Sequence, residues 1–358
     1  AMAKVKALYI CTECGSTQPK WQGQCPDCNA WNTLVETVAE KAATSAHRFA
    51  SLAPVSGVQS LGKVEARESP RLSSGIDEFD RVLGGGLVSG GVALIGGDPG
   101  IGKSTLLLQV ADKLSATRAS VLYVSGEESV GQIRLRAERT GAMSDNLFIA
   151  SETDLSTVLG QIDAISPELL VVDSVQTIAA AEIDGAAGMP SQIREVAANL
   201  IRVAKERALP VILVGHVTKD GNIAGPRALE HLVDVVCHFE GDRQTSLRFV
   251  RSMKNRFGPT DEVGCFEMTG DGIAEVADPS GLFLSRGDAP VSGTCVTVTV
   301  EGKRPLIAEV QALVVKSSTP QPRRVTNGVD SARVAMLLAV LERRAGLRVG
   351  DMDVYVST

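Results

Sequence analysis

The sequence predicts an α/β chain built around a mainly parallel sheet with helices on both faces. Three observations carry this. Apolar runs at residues 92–96, 121–125, 147–150, 169–173 and 211–215 have the length of strands and no polar alternation. Helical patterns such as 103–117 and 191–207 lie between them. Strands that are apolar throughout and separated by helices belong to a parallel sheet buried on both sides.

Residues 234–276 break this rhythm. They read as short strands joined by tight turns such as Thr269-Gly270-Asp271-Gly272, so the sheet is expected to end in antiparallel strands. Ahead of the α/β segment, residues 1–35 form a small cysteine-bearing module. Residues 36–69, rich in Ala, Ser and charge, read as a linker with one short helix. The α/β segment is bounded at 70–279. A third segment, 280–358, offers strands at 294–300 and 306–315 around the turn Glu301-Gly302-Lys303. Its helix is capped by Asp330, striped by Val334, Leu337, Leu338 and Leu341, and stopped by Gly346. The last residues, Val354-Tyr355-Val356, look like the start of a strand, so this domain is expected to be incomplete, and Ala1 before Met2 reads as an expression remnant.

Composition excludes several classes. With 44% hydrophobic and 22% charged residues, most of the 358-residue chain can bury a core, and 4% aromatics make that core aliphatic. A net charge of −6 argues against a uniformly basic nucleic-acid coat but leaves room for a local basic channel. No apolar run approaches the ~20 residues of a membrane span, and no secretory leader is evident. Seven cysteines without such a leader point to a reducing cytoplasm, where close cysteines bind metal rather than each other.

Gly97-Asp98-Pro99-Gly100-Ile101-Gly102-Lys103-Ser104 matches the G-x-x-x-x-G-K-[ST] pattern, and it follows an apolar strand and opens a helix. Its glycines allow backbone N–H groups to turn inward around phosphate, and the helix N-terminus adds its positive end. With Thr105 these residues form the nucleotide-binding set. Lys103 reaches the outer phosphates and Ser104 ligates Mg²⁺. Asp173 ends the strand Leu169-Leu170-Val171-Val172 and is placed to hold the same Mg²⁺ through water. Glu127 and Glu128 end the strand that follows the loop helix. One of them, Glu127 by preference, polarises the attacking water while the other caps the helix at Ser129.

Cys11-x-x-Cys14, ten residues, then Cys25-x-x-Cys28 is the spacing of a closed tetrahedral Zn²⁺ site, structural because no ligand position stays open. Gly15 and Asn29 sit where each hook turns. Trp21, Trp31 and Lys20 are either a contact surface or, for at least one tryptophan, the module's miniature core.

The four-cysteine module, the run from Gly75 to Leu87 (GIDEFDRVLGGGL), the phosphate loop and Lys254-Asn255-Arg256-Phe257-Gly258 together resemble the RadA (Sms) family of bacterial DNA-repair proteins, within the RecA-like ATPase superfamily. The resemblance spans nearly the whole chain. It implies a RecA-like ATPase core using ATP and Mg²⁺ that forms a hexameric ring. It implies a helicase that drives branch migration on single-stranded and branched DNA, alongside the RecA recombinase. It also implies that residues after 280 begin a Lon-protease-like scaffold domain without protease chemistry.

By position, the resemblance makes Glu127 the catalytic glutamate and His216 the γ-phosphate sensor. Residues 218–226, with Lys219 and Asn222, become the second DNA-facing loop. Residues 178–190 become the first, uncharged apart from Glu182 and Asp184. Lys254 and Arg256 match a pair offered across the subunit interface to a neighbour's γ-phosphate; the alternative is a basic strand face on DNA shared with Arg243, Arg248 and Arg251. Two competing functions remain: an ATP-gated regulatory or assembly protein of the clock-ATPase kind, and a scaffold in which ATP only holds a ring together.

Overall fold

The computed structural model describes residues 7–38, 60–64, 69–216, 228–241, 246–278 and 291–358. It divides into two compact units, Ala1–Glu275 and Val276–Thr358.

The first unit opens with a three-stranded antiparallel sheet, β1 (Ala7–Cys11), β2 (Thr17–Gln18) and β3 (Leu34–Val38), in the order β2-β1-β3. Strand β3 thus runs three residues into the stretch read as linker. Within that stretch the described residues hold one 3-10 turn, Leu61–Lys63. A two-residue pair follows, β4 (Arg71–Leu72) against β5 (Leu87–Val88), with helix α1 (Asp77–Leu83) between them. Acidic Asp77, Glu78 and Asp80 occupy the first turn of α1, and Gly84 ends it in the left-handed conformation.

The main sheet then assembles. Its parallel part is β6 (Val92–Gly97), β7 (Val121–Ser125), β8 (Leu147–Ser151), β9 (Leu169–Asp173), β10 (Val211–His216) and β11 (Val235–Glu240). The connecting helices are α2 (Lys103–Ala116), α3 (Val130–Thr140), α4 (Leu155–Ile165), α5 (Pro190–Arg207) and the short α6 (Ala228–Leu232). Strands β12 (Leu247–Asn255), β13 (Val263–Thr269) and β14 (Gly272–Glu275) finish it antiparallel, and the nine-stranded order is β14-β13-β12-β11-β6-β10-β9-β7-β8. The antiparallel end is as read from the sequence, except that β11 pairs parallel with β6 and the reversal starts one strand later.

Both faces are covered, which is why the central strands show no polar alternation. In β6 all six residues are buried. Ala93 and Ile95 pack with Phe79, Leu107 and Phe266 on one face, while Val92 and Leu94 pack with Ile193, Val196 and Leu200 on the other. Each of the larger of these side chains contributes about 1.5–3 kcal/mol when fully buried. Helix starts follow local chemistry. Ser129 and Gln132 form a reciprocal capping box on α3, and the Asp154 carboxylate accepts from Thr157 N at α4.

The second unit contains β15 (Thr294–Glu301), β16 (Arg304–Lys316), β17 (Arg324–Asn327), α7 (Ser331–Ala345) and β18 (Met352–Ser357), with sheet order β15-β16-β18-β17. The Asp330 carboxylate accepts from Arg333 N at 2.7 Å and Gly346 closes α7, so both caps stand where the sequence puts them. The apolar stripe of α7 does not form a buried face: none of its residues is buried, and Leu337 and Leu341 are exposed. No helix among the described residues is long and apolar enough to cross a membrane.

Candidate active site and zinc module

The glycine-rich loop leaves β6 at Gly97 and enters α2 at Lys103, with Gly102 as the N-cap. Lys103 is buried, and its Nζ donates to the Gly97 carbonyl at 2.6 Å and the Asp98 carbonyl at 2.7 Å. Burial pulls its pKa down, and the negative charges of Asp173, Asp98 and Glu127 work against that. The loop therefore carries a desolvated cation with three acids around it, an arrangement suited to an anionic ligand with a divalent metal.

Sheet register brings the other groups to this edge. Ser125 pairs with Asp173 across β7 and β9, and His216 pairs with Gly97 across β10 and β6. Asp173 is buried and accepts from the Tyr123 hydroxyl at 2.6 Å. Tyr123 is itself buried, which together with the Asp173 charge holds its phenol well above the usual range.

Between β7 and α3 the chain turns tightly. Ser125 Oγ accepts from the backbone N–H groups of Glu127 and Glu128, and Gly126 N donates to the Asp173 carbonyl at 2.9 Å. A Cβ at Gly126 would lie 2.0 Å from Thr177 Oγ1, so no larger residue fits. This turn separates the two glutamates. Glu127 Oε1 accepts from His216 Nε2 at 2.6 Å and from Ser174 Oγ at 3.1 Å. Glu128 turns away and is held by Arg136 at 2.7 Å. The candidate set Lys103, Asp173, Glu127 and His216 thus converges, with Ser174 and Tyr123 as members that the sequence reading missed. Ser174 directly follows Asp173, so the strand-ending acid was the available signal; Tyr123 carries none, since it reads as one more apolar strand residue.

The basic candidates divide. Lys219 and Asn222, with the rest of residues 217–227, and Arg243 lie outside the described residues. Arg248 does not present a basic face for DNA. It is buried, and its Nε donates to the Ile101 carbonyl at 3.1 Å, bracing the phosphate loop from behind. Arg251 pairs with Glu240 at 3.3 Å on the neighbouring strand. Lys254 Nζ donates to the Glu230 and Val233 carbonyls, and Arg256 pairs with Asp234 at 3.0 Å. Residues 178–190 are gathered by buried Gln192, whose Nε2 donates to the Ala180, Ile183 and Gly185 carbonyls.

In the N-terminal module the thiols of Cys11, Cys14, Cys25 and Cys28 all lie within 4.8 Å of one another. Cys11–Cys28 and Cys14–Cys25 are each 3.6 Å apart, against roughly 3.8 Å for the edge of a tetrahedron with Zn–S bonds of ~2.3 Å. The four residues fit Zn²⁺. Neither tryptophan is core: Trp21 is 57% and Trp31 70% exposed, and Leu34 and Tyr9 pack against the cysteines instead. A module this small closes around its metal and has no room to enclose an indole. It docks on α5 through Arg194, whose Nη1 donates to the Gly15 carbonyl at 3.0 Å and Nη2 to the Cys14 carbonyl at 2.6 Å. Gly15 has φ +69°, and a Cβ there would come within 2.7 Å of that guanidinium.

Comparison with known proteins agrees with this anatomy. Residues 63–222 match an AAA domain family and residues 9–36 a rubredoxin metal binding domain. The DNA repair protein RadA of Mycobacterium tuberculosis strain H37Rv is 51% identical over 100% of this chain and 75% of its own length. The RadA proteins of Bacillus subtilis (48%) and Pseudomonas aeruginosa (50%) match over 99% of this chain and 78% of theirs. A KaiC-like protein from Pyrococcus horikoshii superposes on 58% of the chain with a TM-score of 0.49 and 23% identity. On this evidence, an α/β ATPase chain with a four-cysteine zinc ribbon at its head, the protein belongs to the family of the bacterial DNA repair protein RadA.

Proposed function

We propose that this chain is a DNA-dependent ATPase that works as a ring, hexameric in form, translocating on single-stranded and branched DNA and driving branch migration during recombination and repair in the cytoplasm. The observation that carries the reading is the bond between Glu127 and His216 at the phosphate loop, 2.6 Å long, beside Lys103 and Asp173. Glu127 is the group that takes a proton from the attacking water. Ser174 and His216 hold its carboxylate. His216 ends the strand that leads directly into residues 218–226, the segment we assign to DNA with Lys219 and Asn222. Nucleotide and DNA thereby share one strand end.

The residues from Gly97 to Thr105 hold the phosphates, and Lys103 leaves its loop carbonyls for the β- and γ-phosphates. Ser104 and Asp173 hold Mg²⁺, which supplies charge neutralisation on the transferring phosphoryl group. Arg256, with Lys254, acts on a neighbouring subunit's γ-phosphate, and a cation in that role contributes roughly 10³-fold or more in rate. Arg251 and Arg243 are assigned to the DNA-facing surface. The zinc ribbon and the Lon-like segment from 280 onward serve assembly and partner contacts, the RecA recombinase among them.

Steady-state ATPase with and without single-stranded DNA tests the reading. Stimulation by DNA, abolished in Lys103→Ala, is the expected result. DNA-independent turnover would favour the clock-ATPase kind of regulator, and no turnover a scaffold. Mixing Arg256→Ala with Glu127→Gln subunits should restore part of the activity that each lacks alone, because the two lesions then sit on opposite sides of one shared site.

A further inference from the structure

Lys254, near the end of β12, and Arg256, just beyond it, do not project freely. Asp234 connects Arg256 to the base of the strand that carries the phosphate loop. Its Oδ2 accepts from Val92 N at 2.9 Å, at the first residue of β6. Its Oδ1 accepts from Arg256 Nη1 at 3.0 Å. The backbone repeats the link: Asp234 N donates to the Val92 carbonyl at 2.9 Å and Arg256 N to the Asp234 carbonyl at 3.0 Å. Arg256 Nη2 reaches the His231 carbonyl at 3.1 Å, and Lys254 Nζ reaches the Glu230 and Val233 carbonyls at 2.8 and 2.9 Å. Those carbonyls belong to α6 and the residue after it, where a helix end presents partial negative charge to cations.

The Asp234 side chain is 9% exposed, whereas that of Arg256 is 46% exposed. One end of the guanidinium is therefore fastened, and with two of its five N–H groups engaged in the bonds above, the remainder can meet an oxyanion outside the chain. We propose that Asp234 is a positioning residue: it aims Arg256 at a phosphate supplied outside this chain and ties that aim to the strand bearing this chain's own phosphate loop. The proposal rests on the reading of Arg256 as acting on a neighbour's nucleotide. It adds a residue that touches no substrate and sets the geometry of one that does.

Asp234→Asn is the discriminating variant. Its amide oxygen can still receive the Val92 N–H, while its NH₂ group faces Arg256 with a donor in place of an acceptor. In the full chain with saturating single-stranded DNA, kcat for ATP should fall roughly ten- to hundred-fold, the scale of a misplaced catalytic group. KM for ATP should stay within about twofold, as expected when only transition-state interactions are lost. Asp234→Asn combined with Arg256→Ala should be no slower than Arg256→Ala alone.

A parental kcat in Asp234→Asn, or losses that multiply in the double variant, overturns the proposal while leaving the role of Arg256 intact. Parental turnover in Arg256→Ala overturns both. Should Asp234→Asn melt below the assay temperature, Asp234→Glu takes its place. That variant keeps the charge and the Val92 acceptor but displaces the guanidinium by a methylene, so kcat should again fall at constant KM; parental kcat in the folded Glu variant overturns the proposal.

Discussion

His216 Nε2 and Glu127 Oε1 stand 2.6 Å apart, although 89 residues separate them in the chain. The contact exists because β6 lies between β10 and β11 while β7 lies beyond β9, so the ends of β10 and β7 face each other across the end of β9. His216 Nδ1 is buried and has no partner among the described residues, so the imidazole is fixed through its Nε2 bond to Glu127.

Replacing Glu127 by Gln should lower kcat for ATP by roughly 10²–10⁴-fold, the range for a lost general base, while the affinity for nucleotide measured by titration stays near parental. On the proposed reading, in which His216 couples Glu127 to the segment after β10, His216→Ala should remove DNA stimulation more than basal turnover. Equal loss of both in steady-state assays would reduce His216 to a prop for Glu127.

The Tyr123 hydroxyl is the only side-chain donor that the described residues give Asp173. Tyr123→Phe should cost about 1–3 kcal/mol in urea unfolding at neutral pH, the range for a buried polar group left without its partner. The sign with pH follows from the raised phenol. The folded state keeps the proton after the unfolded chain begins to lose it near pH 10, so this contribution is complete below 10 and declines as pH rises further. The gap between parent and variant should narrow in unfolding curves taken above pH 10.

Gly126→Ala should fail at the turn that separates the two glutamates, because the new Cβ would meet Thr177 Oγ1 at 2.0 Å and Thr177 Cβ at 2.6 Å. A fall in melting temperature together with lost turnover is expected, with recovery of both in the pair Gly126→Ala, Thr177→Gly. Absence of recovery would place the clash elsewhere.

Metal analysis of the purified chain should find one zinc ion, lost in Cys25→Ser or on chelation. Arg194→Ala should retain that ion, since among the described residues the guanidinium hydrogen-bonds to the Cys14 and Gly15 carbonyls and not to a thiol. It should also speed hydrogen exchange across residues 11–16. Unchanged exchange would mean that the module is held on α5 by other contacts.

From the sequence alone came whatever is written in contiguous residues. Strands β6, β7, β9 and β10 were legible because a strand covered on both faces must be apolar throughout, and the partly exposed edge strand β8 was legible from its apolar run alone. The phosphate loop and the cysteine hooks were legible because their chemistry demands fixed spacing, and the caps Asp330 and Gly346 because capping is local. What joins distant segments was decided by the tertiary structure. Sheet order brings His216 and Ser174 to Glu127, while Glu128 faces Arg136 on α3. Burial turned Arg248 from a DNA candidate into a brace for Ile101 and left both tryptophans outside the zinc module's core. Residue type and spacing reveal which chemistry a segment can perform. Which charge meets which partner depends on the strand order that sets them side by side, and no single segment contains that information.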